Sequence, residues 1–291
     1  MSSKRYRMPA KDVALIFLHI PKTGGTTLHS VIDRQYPKQA IFHIKGTRVR
    51  EYTERFKSLP EEERANIWCL KGHMPFGLHT HLPQPSTYIT MLRDPIDRMI
   101  SHYYFVKKVP SHKLHKEVIS RNMSLEDYVA SGIAARLNDG QVKLISGAIS
   151  QRDPASIDAL EAAKRNLREF FVAFGLMERF DESLILFGRL LGWKSIYYVK
   201  RNVTKTRPSK SEISPQTLKR IESYAKLDME LYEFAKQRFE DKLHEQDIGR
   251  KDLLAFRLLN QLHTVTHPMQ TTPARGARDL LGRLKFAKWA R

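Results

Sequence analysis

The spacing of apolar positions changes character along the chain. Val13 to Ile20 is an almost unbroken apolar run, short enough for a buried strand, and a helical pattern follows from about Thr26 to Gln35. "YITML" (88–92) is a second strand-like run, after which Ile96, Met99, Ile100, Tyr103 and Tyr104 recur at helical spacing. Asp94 supplies that helix with an N-cap, and Pro95 falls at the first helical position, where proline fits best. "SLEDYVASG" (124–132) reads as a capped helix stopped by glycine. Further on, the pattern predicts a helix at 158–170, a strand at 171–177, a helix at 180–193, a strand at "SIYYV" (195–199) and one long helical stretch at 214–243. Strands alternating with helices imply an α/β fold with a mainly parallel central sheet covered by helices on both faces. No internal repeat is visible.

The 291 residues suit one large α/β domain or two small ones. Hydrophobic residues make up 41% and charged residues 28%, ordinary for a soluble globular chain, but 50 Lys+Arg against 31 Asp+Glu leave a net charge of +19. A surplus of that size points to an anionic partner, against the plain alternative of a solvated basic surface. The single cysteine, Cys69, excludes an intramolecular disulfide and predicts a reducing compartment. The stretch opening "MSSKRYRMPAKDVALIFLHIPK" reads as a buried strand rather than a signal peptide, and no window approaches the roughly 18 apolar residues that cross a bilayer. A cytoplasmic protein is expected, in which the formal glycosylation site Asn202-Val203-Thr204 stays idle.

Composition changes after Gly249, dividing the chain into a domain at 1–249 and a basic helical or linker tail at 250–291. The tail holds nine Lys/Arg against two Asp. Its last residues, 279–291, read either as a peripheral contact with an anionic membrane, at the inner membrane surface, or with a polyanion, or as a short helix packed on its own domain or an oligomer partner.

Two stretches carry chemistry. In "PKTGGTT" a strand passes through Gly24 and Gly25 into a helix start, where backbone N–H groups and the helix dipole favour an anion. Lys22 adds a point charge, and Thr26 and Thr27 add hydroxyls. The lysine precedes the glycines, so the Walker pattern GxxxxGK[ST] is not met. In "RDPIDRMIS", Arg93 leaves a strand end and Ser101 lies two helical turns beyond Asp94, so the pair can grip a second phosphate at the sheet edge where α/β folds bind ligands. Asp97 and Arg98 read as solvent or salt-bridge positions.

These two stretches together resemble the 5′-phosphosulfate loop and the 3′-phosphate motif of sulfotransferases that use 3′-phosphoadenosine 5′-phosphosulfate (PAPS). Within them the chain is most similar to the carbohydrate group typified by heparan sulfate and dermatan/chondroitin 2-O-sulfotransferases. "KGHMPFG" (71–77) resembles that group's Gly-His segment, "RLNDGQVKLISG" (136–147) its mid-chain segment, and "FVAFGLMERFDESLILFGRLLGW" with "NVTKTRP…LYEFAKQRF" its last strand, cofactor-covering loop and terminal helix. The resemblance covers roughly residues 13–240 and implies a P-loop-like parallel sheet. It implies that Lys22, Thr23, Gly24, Gly25, Thr26 and Thr27 hold the 5′-phosphosulfate, that Arg93 and Ser101 hold the 3′-phosphate, and that Lys205 and Arg207 close over the nucleotide.

By that resemblance Lys22 stabilises the leaving phosphate and His73 is the general base, its free pKa of about 6.5 suiting the task. His19 is the alternative base or a structural histidine. His79, His81 and the histidines of "SHKLHKE" (111–117) read as loop residues, without metal-ligand spacing. The expected reaction is metal-free in-line transfer of a sulfuryl group to a hydroxyl of a glycan, glycolipid or other small acceptor. Animal members carry a membrane anchor and cysteines that this sequence lacks, which leaves the acceptor open. An atypical kinase using ATP and a basic polyanion- or membrane-binding protein are the alternatives; no nucleic-acid reading motif is present.

Overall fold

The computed structural model describes residues 13–148, 153–199, 208 and 210–266. At its centre is β1 (Ala14–Leu18), in which every residue is buried. Successive strand side chains point to opposite faces, so complete burial means that both faces of the sheet are covered. The other strands are β2 (Ile41–Ile44), β3 (Cys69–Gly72), β4 (Ser86–Leu92) and β5 (Phe171–Leu176). All pairings are parallel, in the order β2-β3-β1-β4-β5. The chain therefore steps outward from β1 on one side, returns and continues on the other. That reversal opens a crevice at the carboxyl ends of β1, β3 and β4.

Between the first strands run α1 (Gly25–Ile32), α2 (Val49–Ser58) and α3 (Glu61–Ala65). A second apolar cluster gathers where α4 (Pro95–Lys108), α5 (His115–Ser120), α6 (Leu125–Ala130) and α10 (Pro215–Tyr224) meet, around Ile100, Tyr128 and Ile221. The expected caps are present: the Asp94 carboxylate accepts from the Asp97 N–H at 3.0 Å, and Ser124 with Asp127 forms a reciprocal capping box. Also described are α7 (Gly140–Ser146), α8 (Ile157–Glu169), α9 (Phe180–Leu191), α11 (Lys226–Glu245) and α12 (Arg250–Thr266).

Two expectations are corrected. Residues 195–199 are not a strand, because side chains take up their backbone groups. Gln35 Nε2 donates to the Ser195 carbonyl (2.9 Å), Arg34 donates to the Tyr197 carbonyl, and the Tyr198 N–H donates to Asn260 Oδ1 (2.7 Å). The long helix at 214–243 is two helices, broken at Ala225, whose φ of −127° leaves the helical range. Residues 250–266 form a helix whose Phe256 enters the main core and stacks on Tyr197, with ring centroids 5.7 Å apart. Lys205, Arg207, the Asn202 acceptor and residues 279–291 lie outside the described residues.

Candidate active site

The carboxyl end of β1 leads into the glycine loop. Lys22 sits in the left-handed region at φ 71°, which costs a non-glycine residue roughly 1–2 kcal/mol and is held only because its surroundings dictate it. Its ammonium lies 4.0 Å from the centre of the Phe105 ring on α4, and its carbonyl accepts from Arg93 Nη1 at 2.9 Å. The first bond of α1 runs from the Thr27 N–H to the Gly24 carbonyl (3.0 Å), so the preceding amides of Gly25 and Thr26 fall among the orphan donors of a helix start. Thr26 is exposed there. Thr23 follows Lys22 as a Walker hydroxyl would, yet it is buried and its Oγ1 donates to the Ile20 carbonyl at 2.8 Å. Its side chain is thus turned into the fold.

Next to β1, the end of β3 explains the Gly-His pair. Gly72, at φ 140°, lies so close to the Ile44 carbonyl of β2 that a Cβ would collide with backbone. His73 follows, and its Nδ1 makes a 3.0 Å hydrogen bond with the His19 carbonyl. A carbonyl only accepts, so Nδ1 carries the proton and Nε2 keeps its lone pair for chemistry. Burial pulls the His73 pKa below 6.5, opposed by that bond to His19.

Below His73 lies a stack of imidazoles that the sequence did not disclose. The His19 ring stacks on His73 at 4.1 Å, and its Nδ1 shares a 3.0 Å hydrogen bond with His29 Nε2. His29 in turn lies 5.0 Å from His43. The His19 ring presses so close to Gly25 that any Cβ there would overlap it. Burial first, and the neighbouring His73 and His29 next, hold the His19 pKa well below its usual value. His29 is drawn down to about 2 by burial, then by the charge of Lys71. His19 is therefore a neutral, packed residue under the loop. The stacked rings do not converge as ligands do, and no group of three or more His, Cys, Asp or Glu placed to hold a metal occurs among the described residues.

Arg93, at the end of β4, is fixed by a clamp. The Gln141 amide takes both of its backbone groups: Oε1 accepts from the Arg93 N–H (3.0 Å) and Nε2 donates to the Arg93 carbonyl (2.9 Å). Gln141 is positioned by Asp228 of α11, whose carboxylate accepts from the Gln141 and Val142 amides at the start of α7. Asp228 also binds Arg98 Nη1 at 2.6 Å, with both side chains buried. Arg98 is thus an ion-pair residue of the interior and not a solvent position. Ser101 is half-buried on the same helix, two turns past Asp94.

Of the remaining histidines, His112 packs on the Phe105 ring beneath Lys22 (centroids 5.7 Å), whereas His79 and His115 fall elsewhere. His79 Nδ1 bonds the Tyr88 hydroxyl (3.0 Å) within an aromatic cluster, and His115 Nδ1 donates to the Val106 carbonyl (2.9 Å), so both serve packing. Beside His73 a cleft of about 580 Å³ is lined by Gly46, Thr47, Arg48, Arg50 and Arg136, with Glu51 and Glu54 at its wall. Gly46 packs directly on the His73 ring.

The chain is similar to several known sulfotransferases. Human heparan-sulfate 6-O-sulfotransferase 3 is 28% identical over 82% of this chain, and the match spans 60% of that relative's length. Heparan-sulfate 6-O-sulfotransferase 1 of Cricetulus griseus is 26% identical over 86% of this chain and 73% of its own. Heparan sulfate 2-O-sulfotransferase 1 of Gallus gallus is 25% identical over 79% of this chain and 71% of its own. Among solved structures, mouse sulfotransferase SULT7A1 complexed with PAP aligns over 74% of this chain and 65% of its own, at 14% identity and a TM-score of 0.35, a likeness too slight to carry an argument. The family model described as galactose-3-O-sulfotransferase matches residues 2–270, which include every described residue, and on that match the protein belongs to the galactose-3-O-sulfotransferase family.

Proposed function

We propose that the protein transfers the sulfuryl group of PAPS to a hydroxyl of a carbohydrate. The observation that carries this reading is the meeting of three strand ends at one crevice, with Lys22 after β1, His73 after β3 and Arg93 after β4. The donor set fits a doubly phosphorylated nucleotide: a helix start, an ammonium and a guanidinium tied to the same loop by the Lys22 carbonyl. Thr23 contributes its backbone, while Thr26 and Ser101 offer hydroxyls.

PAPS supplies an activated sulfuryl group on a phosphate leaving group. His73 Nε2 takes the proton of the acceptor hydroxyl as that oxygen bonds to sulfur. The sulfur–oxygen bond to the phosphate breaks, and Lys22 stabilises the charge that grows on the bridging oxygen. Arg48 in the cleft beside His73 is paired with Glu51, and Arg50 and Arg136 favour an acceptor bearing carboxylate or sulfate groups, in keeping with the heparan sulfate named for the relatives. Thermal unfolding with adenosine 3′,5′-bisphosphate, set against ATP with magnesium, tests the reading. Stabilisation by the bisphosphate alone is expected. Stabilisation by ATP–magnesium alone would replace it with the kinase reading.

A further inference from the structure

The outward face of α12 carries an apolar stripe. Leu254, Leu258, Leu262 and Val265 are 55%, 61%, 57% and 79% exposed, and Leu259 borders them at 45%. Their spacing of four, four and three residues sets them in one row along the helix. By the same spacing Arg250 and Lys251 lie at the start of the row, while Arg257 at its margin is taken up by Asp181 at 3.1 Å. The helix contains one acid, Asp252, which lies toward the opposite side and pairs with Arg189. That other side buries Phe256 and holds the Tyr198 amide through Asn260. The outward face thus presents leucine, valine and the charges of Arg250 and Lys251, with Asp181 at its margin neutralised by Arg257.

The sequence that follows has the same character. Residues 267–291 hold six Lys/Arg and one Asp, along with Leu280, Leu281, Leu284, Phe286 and Trp289.

We propose that α12 docks the protein on an anionic phospholipid surface, with its apolar row in the headgroup boundary and its cations on the phosphates. Apolar residues on one side with Lys/Arg at the margins are what a helix lying in that plane requires. A polyanionic glycan would engage the cations but leave the leucines in water. A stable protein contact buries about 800 Å² per partner, more than five side chains on one helix supply. No helix among the described residues is long and apolar enough to cross a membrane, so the contact is peripheral.

The test is flotation of the full chain with vesicles of phosphatidylcholine alone and of phosphatidylcholine mixed with phosphatidylglycerol. The parent should float only with the anionic vesicles. A Leu258→Glu/Leu262→Glu double variant should bind about tenfold more weakly or worse, since each leucine carries several buried methylene equivalents. Both positions are exposed, so its circular dichroism and thermal unfolding should match the parent's. Lys251→Glu should weaken anionic binding as well. The proposal fails if the parent does not float, if it floats equally with neutral vesicles, or if the double variant binds as the parent does. Light scattering that shows a parent dimer and a monomeric double variant would overturn it in favour of a second copy on this face.

Discussion

Acidification should act on the imidazoles beneath the loop, and His29 is the place to measure it. Its folded pKa of about 2 lies far below the value near 6.5 that it has when unfolded. Between those values the unfolded chain binds a proton that the folded protein refuses. Stability from this group is therefore complete above pH 6.5 and is lost as pH falls toward 2. Integrated from pH 7.5 to pH 5, one such histidine removes about 2 kcal/mol, on a limiting slope of about 1.4 kcal/mol per pH unit. That is a substantial share of the 5–15 kcal/mol typical of a domain.

The parent's total loss mixes several groups. The buried His19 and the half-buried His102, both lowered, add losses of the same sign. Asp139, pushed up to about 6 by burial, has the opposite sign, because its folded carboxyl takes its proton before the unfolded one does. A His29→Leu variant isolates the one contribution. The His29 Nδ1 is buried with no hydrogen-bond partner, so leucine forfeits one hydrogen bond, that with His19 Nδ1, and the ring contacts with Phe17, His19 and His43, none of which changes between the two pH values in the variant. Urea unfolding of both proteins, followed by circular dichroism at pH 7.5 and pH 5, is the assay. The parent should lose about 2 kcal/mol more than the variant over that interval. Equal losses would refute the claim that packing holds His29 neutral.

Three further outcomes follow from the site and its supports. Lys22→Ala should lower turnover by about 10²–10³ in a single-turnover assay, the scale of one preorganised transition-state contact, and an unchanged rate would remove Lys22 from the chemistry. The acidic limb of the kcat/KM profile should have its midpoint below pH 6.5, because His73 must be neutral to act and burial lowers its pKa; a midpoint above 6.5 would argue against His73 as the base. Asp228→Ala should cost about 3–5 kcal/mol in denaturant unfolding, since it strands the buried Arg98 and uncaps α7, whereas a cost under about 1 kcal/mol would show the pair to be dispensable.

What the sequence disclosed and what it hid divide along one physical line. The loop, the Asp94-Pro95 helix start and the capped helix at 124 were legible because their chemistry is complete within a few residues. β2 and β3 were not read as strands: each has four residues, and β3 places Lys71 inside the fold, where only Asp33, distant in sequence, makes the charge tolerable. Residues 195–199 carried a strand's composition, but Gln35 and Asn260 took the backbone groups that a neighbouring strand would have used. Local propensity cannot register such competition. The candidate site follows the same rule. Lys22, His73 and Arg93 stand in recognisable local motifs, whereas Gln141 meets Arg93 across 48 positions and Asp228 meets Arg98 across 130. The groups proposed to touch the reactants were therefore readable one by one. The groups that hold them in place could be found only after the sheet had brought distant segments together: of the two readings open for Arg98, the salt bridge holds, and its partner Asp228 lies too far along the chain to be named from sequence.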